Sequence, residues 1–155
     1  NYTQFIPVKL ITAAHKTPPN PAESQPETVA FNVQAGTWVG DLPPYNAFVL
    51  GGPFSVRGWD TGAIATSRSY IEASAEYRFP IYRFIGGAAF VDFASDLGSS
   101  DDVPGQPGVV RGKPGTGLGF GFGLRFNSPL GILRGDLGVS NQGDVRFQFG
   151  FGQRF

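Results

Sequence analysis

In residues 144–155 the side chains alternate in kind at every step. Val145, Phe147, Phe149, Phe151 and Phe155 share one parity, and Asp144, Arg146, Gln148, Gly150, Gly152 and Arg154 the other. Successive side chains of an extended chain point to opposite faces, so this is a strand with one greasy face and one polar or side-chain-poor face. The same rule governs Leu118, Phe120, Phe122, Leu124 and Phe126 against Gly119, Gly121, Gly123, Arg125 and Asn127. It continues in Leu133, Leu137 and Val139 against Arg134, Asp136 and Ser140. Asn127-Ser128-Pro129 and Asn141-Gln142-Gly143 read as tight connections between these three antiparallel strands.

Upstream, Ile71, Ala73, Ala75, Tyr77 and Phe79 alternate with Glu72, Ser74, Glu76 and Arg78, and a turn at Pro80 is predicted. Next, Ile85, Gly87, Ala89, Val91 and Phe93 oppose Gly86, Ala88, Phe90, Asp92 and Ala94. Further back, Val29, Phe31, Val33, Ala35 and Val39 oppose Asn32, Gln34 and Trp38, and residues 2–14 are strand-like apart from Pro7. The spacing thus predicts about seven strands. Short turns alternate with long loops at 40–67 and 97–115, rich in Gly, Pro and Asp, while the Pro-rich stretch 15–28 reads as an insertion.

Alternation alone fits a soluble sandwich or a membrane barrel. Aromatic residues gather toward strand ends (Tyr77, Phe79, Tyr82, Phe84, Phe126, Phe155), as an interface girdle requires, and this favours the barrel. With 15% of residues charged, against about 25% in soluble domains, and 14% aromatic, the chain is not disordered. No apolar run reaches the roughly 20 residues of a membrane helix, whereas barrel strands need only about 9–11. Twelve basic and twelve acidic residues cancel, leaving no footprint for nucleic acid. The absence of Cys decides little. The chain starts at Asn1 without a signal-like segment, so it reads as processed, truncated or partly represented.

The loop before the Glu72 strand carries Gly51-Gly52-Pro53-Phe54-Ser55-Val56-Arg57-Gly58-Trp59. It resembles the BamA-type outer-membrane assembly family, which also includes the chloroplast Toc channel and two-partner secretion transporters. Val56, Arg57, Gly58 and Trp59 match that family's Val-Arg-Gly-aromatic loop tip, with Trp where Phe or Tyr is commoner. Gly86, Phe90 and Asp92 match its Gly-x-x-x-Phe-x-Asp strand, and Leu133, Arg134 and Asp136 its Leu-Arg-x-Asp strand. A terminal aromatic, here Phe155, is the usual end of outer-membrane barrels. The phrases at 40–45 and 96–100 look most like the cyanobacterial and chloroplast branch.

The resemblance implies that residues 1–155 are the C-terminal part of an all-β, antiparallel transmembrane barrel in a bacterial outer membrane or chloroplast envelope. Single-chain barrels have at least eight strands, so seven imply further N-terminal strands, and the family adds soluble POTRA domains. Its loop tip folds into the lumen, and its members insert or translocate polypeptides without a cofactor. The expected partners are the bilayer, the rest of the barrel, and unfolded or nascent precursors. A guanidinium taken into a barrel loses hydration and needs a carboxylate that its fork can bind. Asp92 is the first candidate, with Asp136 and Glu72 beside it. Gly58 permits a sharp turn. The last strand would form one side of a lateral seam, loosened at Gly150 and Gly152.

Two-partner secretion and a passive porin are the alternatives. An enzyme is not expected: His15 is the single histidine, and neither a nucleophile elbow nor metal-ligand spacing occurs. Glu72 and Glu76 share a face, but pairing with Arg78 or Arg125 is the simpler reading of them.

Overall fold

The computed structural model describes residues 1–11, 26–40, 42–43, 46–98 and 112–155. Nine strands follow in chain order: β1 (Tyr2–Pro7), β2 (Thr28–Thr37), β3 (Phe48–Leu50), β4 (Ala65–Ser67), β5 (Ser69–Tyr82), β6 (Ile85–Asp96), β7 (Thr116–Ser128), β8 (Gly131–Ser140) and β9 (Val145–Phe151). No α-helix occurs among the described residues. Seven strands form one antiparallel sheet in the order β1-β2-β5-β6-β7-β8-β9. β1 and β9 are its two edges, so the sheet does not close on itself. β3 and β4 pair separately, as a small hairpin rooted in the long loop.

The pleat sorts side chains as the alternation requires. On β7 Leu118, Phe120, Phe122, Leu124 and Phe126 are exposed, while Gly119, Gly121, Gly123 and Arg125 are buried. On β9 Val145, Phe147, Phe149 and Phe151 point outward, with Phe122 and Phe147 each 71% exposed. Adjacent strands repeat this through Val91, Leu137, Phe31 and Val33. The outer face is therefore an apolar surface spread over several neighbouring strands, the kind that marks contact with lipid or another protein.

The packed core lies on the opposite face. Leu50, Val56, Trp59, Ile64 and Ala65 of the hairpin and its loop pack on Ala94 of β6, with Tyr70 at the margin. In a sandwich the phenylalanines would meet a second sheet. Here the second sheet covers the polar face, and the phenylalanines are left for lipid. Long strands suit this role: β5, β6 and β7 have 14, 12 and 13 residues, against the roughly 9–11 needed to cross hydrocarbon.

Three sequence expectations need correction. The turn predicted at Pro80 falls at Arg83 and Phe84, because β5 continues through Pro80 to Tyr82. Proline is tolerated there because the register shifts between Pro80 and Tyr82, and such an irregularity asks for no ladder donor. The loop 40–67 contains the β3–β4 hairpin. Phe155 does not continue the greasy face: β9 ends at Phe151, Gly152 turns at φ +77, and the Phe155 ring lies 5.4 Å from the Arg78 guanidinium on the polar side. The insertion 15–28, including His15, lies almost wholly outside the described residues, as does most of the loop 97–115.

A charge on the outer face should destabilise according to depth. Phe122→Arg, at the middle of β7, should cost about 2–4 kcal/mol, and Leu118→Arg, near the strand end, about 0–1. Urea unfolding of the whole protein in lipid vesicles measures both; equal costs at the two positions would contradict a hydrocarbon-facing surface.

Candidate functional site

Between β3 and β4 the chain turns back over the polar face of the sheet. Positive φ at Gly51, Gly52, Gly58 and Gly62 allows the sharp reversals. The turn is tied internally by Gly52 N to Val56 O (3.2 Å) and Ser55 N to Gly52 O (3.1 Å). It delivers Arg57 to a place that is 0% exposed.

Cross-strand register explains what Arg57 meets. Ser74, Asp92, Gly119 and Ser140 form one row across β5 to β8. The next row toward the short turns is Glu76, Phe90, Gly121, Gly138 and Arg146, and the one after it holds Arg78, Ala88, Gly123, Asp136 and Gln148. The guanidinium lies between the first two rows. Its Nε donates to Asp92 Oδ2 at 2.7 Å and its Nη2 to Oδ1 at 2.9 Å, a fork-to-carboxylate pairing that the Arg57 amide extends at 3.1 Å. Nη1 donates to Glu76 Oε2 at 2.5 Å and stands 3.6 Å from Asp136 Oδ2. The Phe90 ring closes the other side, 3.5 Å from centroid to guanidinium carbon.

The carboxylates are shared in turn. Glu76 also binds Arg78 Nε (2.8 Å) and Arg125 Nη2 (3.2 Å), and Asp136 binds Arg125 Nη1 (2.5 Å). Asp92 accepts from Ser74 Oγ and forms an ion pair with Arg154 Nη1 at 2.8 Å. Four guanidiniums and three carboxylates thus form one sealed network. Such pairs add little net stability against apolar packing, but removing one member strands the others at about 3–5 kcal/mol.

Glycines make the approach possible. A Cβ on Gly119 would collide with the Arg57 carbonyl, and one on Gly138 would come within 2.5 Å of Gly58 N. Gly58 itself has no room for one, at 2.7 Å from the Val139 carbonyl carbon. Trp59 is held by Nε1 donating to Leu118 O at 3.0 Å. Backbone therefore lies directly on backbone, which only glycine allows.

The structure brings together Val56, Arg57, Gly58, Trp59, Phe90, Asp92 and Asp136, and sets several other predicted positions apart. Glu72 is not a partner of Arg57: it sits two residues further toward the long loops, opposite Gln34, and takes Gln34 Nε2 at 2.6 Å and Ser55 Oγ. The Arg57 fork points the other way, toward Glu76 and Asp136 in the rows nearer the short turns. Gly86 lies opposite Arg125 and Pro80, away from the tip. Arg134 is buried, but no carboxylate among the described residues pairs with it; its guanidinium lies 5.3 Å from the Phe54 ring. Gly150 makes room for Arg134, since a Cβ there would be 2.7 Å from its Nε, so it serves packing. Of the pairing expected for Glu72 and Glu76 with Arg78 or Arg125, Glu76 meets both arginines, whereas Glu72 bonds to Gln34 and Ser55 instead. The reading of the sequence missed that Glu76 is also the second carboxylate of Arg57. Its parity with Ser74 and Arg78 was the available signal.

Comparison with known proteins agrees with this architecture. A family profile described as the Omp85 superfamily domain matches residues 2–155. The chain is 43% identical over 129 residues to outer envelope protein 80 of Arabidopsis thaliana chloroplasts, covering 83% of the chain and 18% of that protein. It is 43% identical over 125 residues to outer envelope protein 39 of Arabidopsis thaliana, covering 81% of the chain and 34% of that protein. It is 42% identical over 134 residues to chloroplastic TOC75 of Pisum sativum, covering 86% and 16%. The chain thus spans roughly a sixth to a third of these relatives.

Removing the tether and removing its seat should have the same result. Arg57→Ala leaves buried carboxylates short of a cation, and Gly119→Val pushes on the Arg57 carbonyl with all charges intact. Either should make residues 51–63 susceptible to protease in sealed vesicles and lower folding stability, by about 3–5 kcal/mol for Arg57→Ala. Arg57→Lys should rescue only in part, because an ammonium cannot repeat the fork. Unchanged protection in both Arg57→Ala and Gly119→Val would refute the tether.

Proposed function

The chain belongs to the Omp85 superfamily, and on that premise we propose that it is the C-terminal part of an outer-membrane β-barrel that inserts or translocates polypeptides. Residues 51–63 then lie in the barrel lumen, seated through Arg57, and β9 forms one side of the seam where the last strand meets the first. N-terminal strands complete the barrel, and POTRA domains collect the clients, which are unfolded or nascent outer-membrane or precursor proteins. No cofactor takes part.

One observation carries this reading. The loop tip is fastened to the polar face by ion pairs and backbone contact beside the apolar cluster around Val56 and Trp59, and the same sheet presents an apolar surface outward. The relatives that carry outer-envelope names support the membrane assignment. The seam has a physical basis as well. β9 has seven residues, against 13 in β7 and 10 in β8. A strand this short offers its partner across the seam few ladder bonds, so an incoming strand can compete for that edge.

The test is reconstitution of the whole protein in vesicles, with acquisition of protease resistance by an unfolded barrel client or precursor as the readout. The wild type should confer it, and Arg57→Ala should lower the rate about tenfold or more, since stranding the tether's carboxylates costs several kcal/mol. Ion conductance without polypeptide handling, insensitive to Arg57, would identify a passive pore and reject the proposal.

A further inference from the structure

The polar side of β9 reaches back to the loop at successive pleats, and the seating of Arg57 does not account for these contacts. Arg146 Nε and Nη2 bind the two carboxylate oxygens of Asp60 at 3.0 and 2.9 Å. Two residues on, Gln148 Nε2 donates to Trp59 O at 3.4 Å. Beyond the Gly152 turn, Arg154 Nη2 donates to Ser55 O, and its Nη1 stands 2.8 Å from Asp92 Oδ2. As the chain runs forward through 146 and 148 on β9 and 154 behind it, the loop runs backward through 60, 59 and 55. This is an antiparallel ladder of side-chain contacts laid over the backbone ladder.

The contacts differ in weight. Arg146 and Asp60 are 41% and 68% exposed, and water screens such a pair to little net worth. Arg154 and Asp92 are sealed at 6% and 0%. Asp92 Oδ2 is also the atom that accepts Arg57 Nε. One carboxylate oxygen thus holds two cations, one from the loop and one from the tail behind the last strand. Losing either changes the surroundings of the other.

We propose that residues 51–63 act as a clasp on the last strand, so that withdrawal of the loop and detachment of the β9 end form one coupled transition. Arg146, Gln148 and Arg154 are positioning residues for the edge that the seam reading assigns to β9, and only the consequence for clients rests on that reading. A strand that draws β9 away from the sheet pulls on Ser55 and Asp92, and so loosens Arg57. By reciprocity, a withdrawn loop loosens β9 by the same factor.

Amide hydrogen exchange of the whole protein in lipid nanodiscs tests the coupling. Arg154→Gln should accelerate exchange across 51–60 by about tenfold, and Arg57→Ala should accelerate 145–155 by a similar factor, within the range typical of coupled sites. β5 and β6 should stay protected in both. Asp60→Arg and Arg146→Asp should each loosen both elements a few-fold, and the double swap should restore protection, which keeps the test valid if Arg57→Ala fails to fold. Acceleration confined to the substituted element overturns the clasp. Coupled exchange in a wild-type protein that handles no client upholds the clasp and refutes the seam reading, so the two can fail separately.

Discussion

A guanidinium sealed between two rows of a β-sheet governs the arrangement of this chain. Arg57 satisfies Asp92 and Glu76 together only because the tip comes down between their rows, and it can do so only where side chains are missing. Gly119 and Gly138 provide that absence, and Gly58 returns it from the other side. Charge and emptiness are thus two halves of one device. A carboxylate pair without the glycine column would bind a longer, looser arm. The column without the carboxylates would leave bare backbone with nothing to hold.

The two faces of the sheet obey different solvents. Outward, Phe120, Phe122, Phe147 and Phe149 make an apolar wall that water would penalise and hydrocarbon would not. Inward, Arg78, Arg125, Arg134 and Arg154 share space with Glu76, Asp92 and Asp136, and most of them are buried by the loop and the tail. Period-two patterning is what lets one strand serve both media. A one-residue slip would move every phenylalanine into the charge network, so both environments enforce the register.

How far the sequence could be read follows from the range of each interaction. The long strands were legible because alternation is local: Leu118 through Phe126 declare their face without reference to any other strand. The turn misplaced at Pro80 shows where local rules stop, since proline is compatible with a strand beside a register shift that only pairing with β6 reveals. Leu50, Ile64 and Ala65 looked like loop residues, because three-residue strands carry too few positions for a period to show. Asp92 was reachable through a motif and parity. Glu76 and Arg154 were not singled out as its companions, because the tip's depth along the strands sets which row it meets, and the Gly152 turn brings Arg154 back over the sheet. Phe155 leaves the outer face for the same reason.

The ion pairs of the tip do what the apolar cluster around Val56 and Trp59 beside them cannot do alone. Burying apolar area adds stability wherever it happens, so a greasy tip would rest in many positions and leave each with difficulty. A buried ion pair adds little net stability, because desolvation offsets the attraction, yet any displaced arrangement leaves charges uncompensated at several kcal/mol. The tether therefore dictates where the loop sits more strongly than how firmly. Sharing Asp92 with Arg154 carries the logic further: one carboxylate oxygen serves a cation from the loop and one from the tail, so displacing either changes the field that holds the other. A network with four guanidiniums and three carboxylates is built to be rearranged as well as to hold.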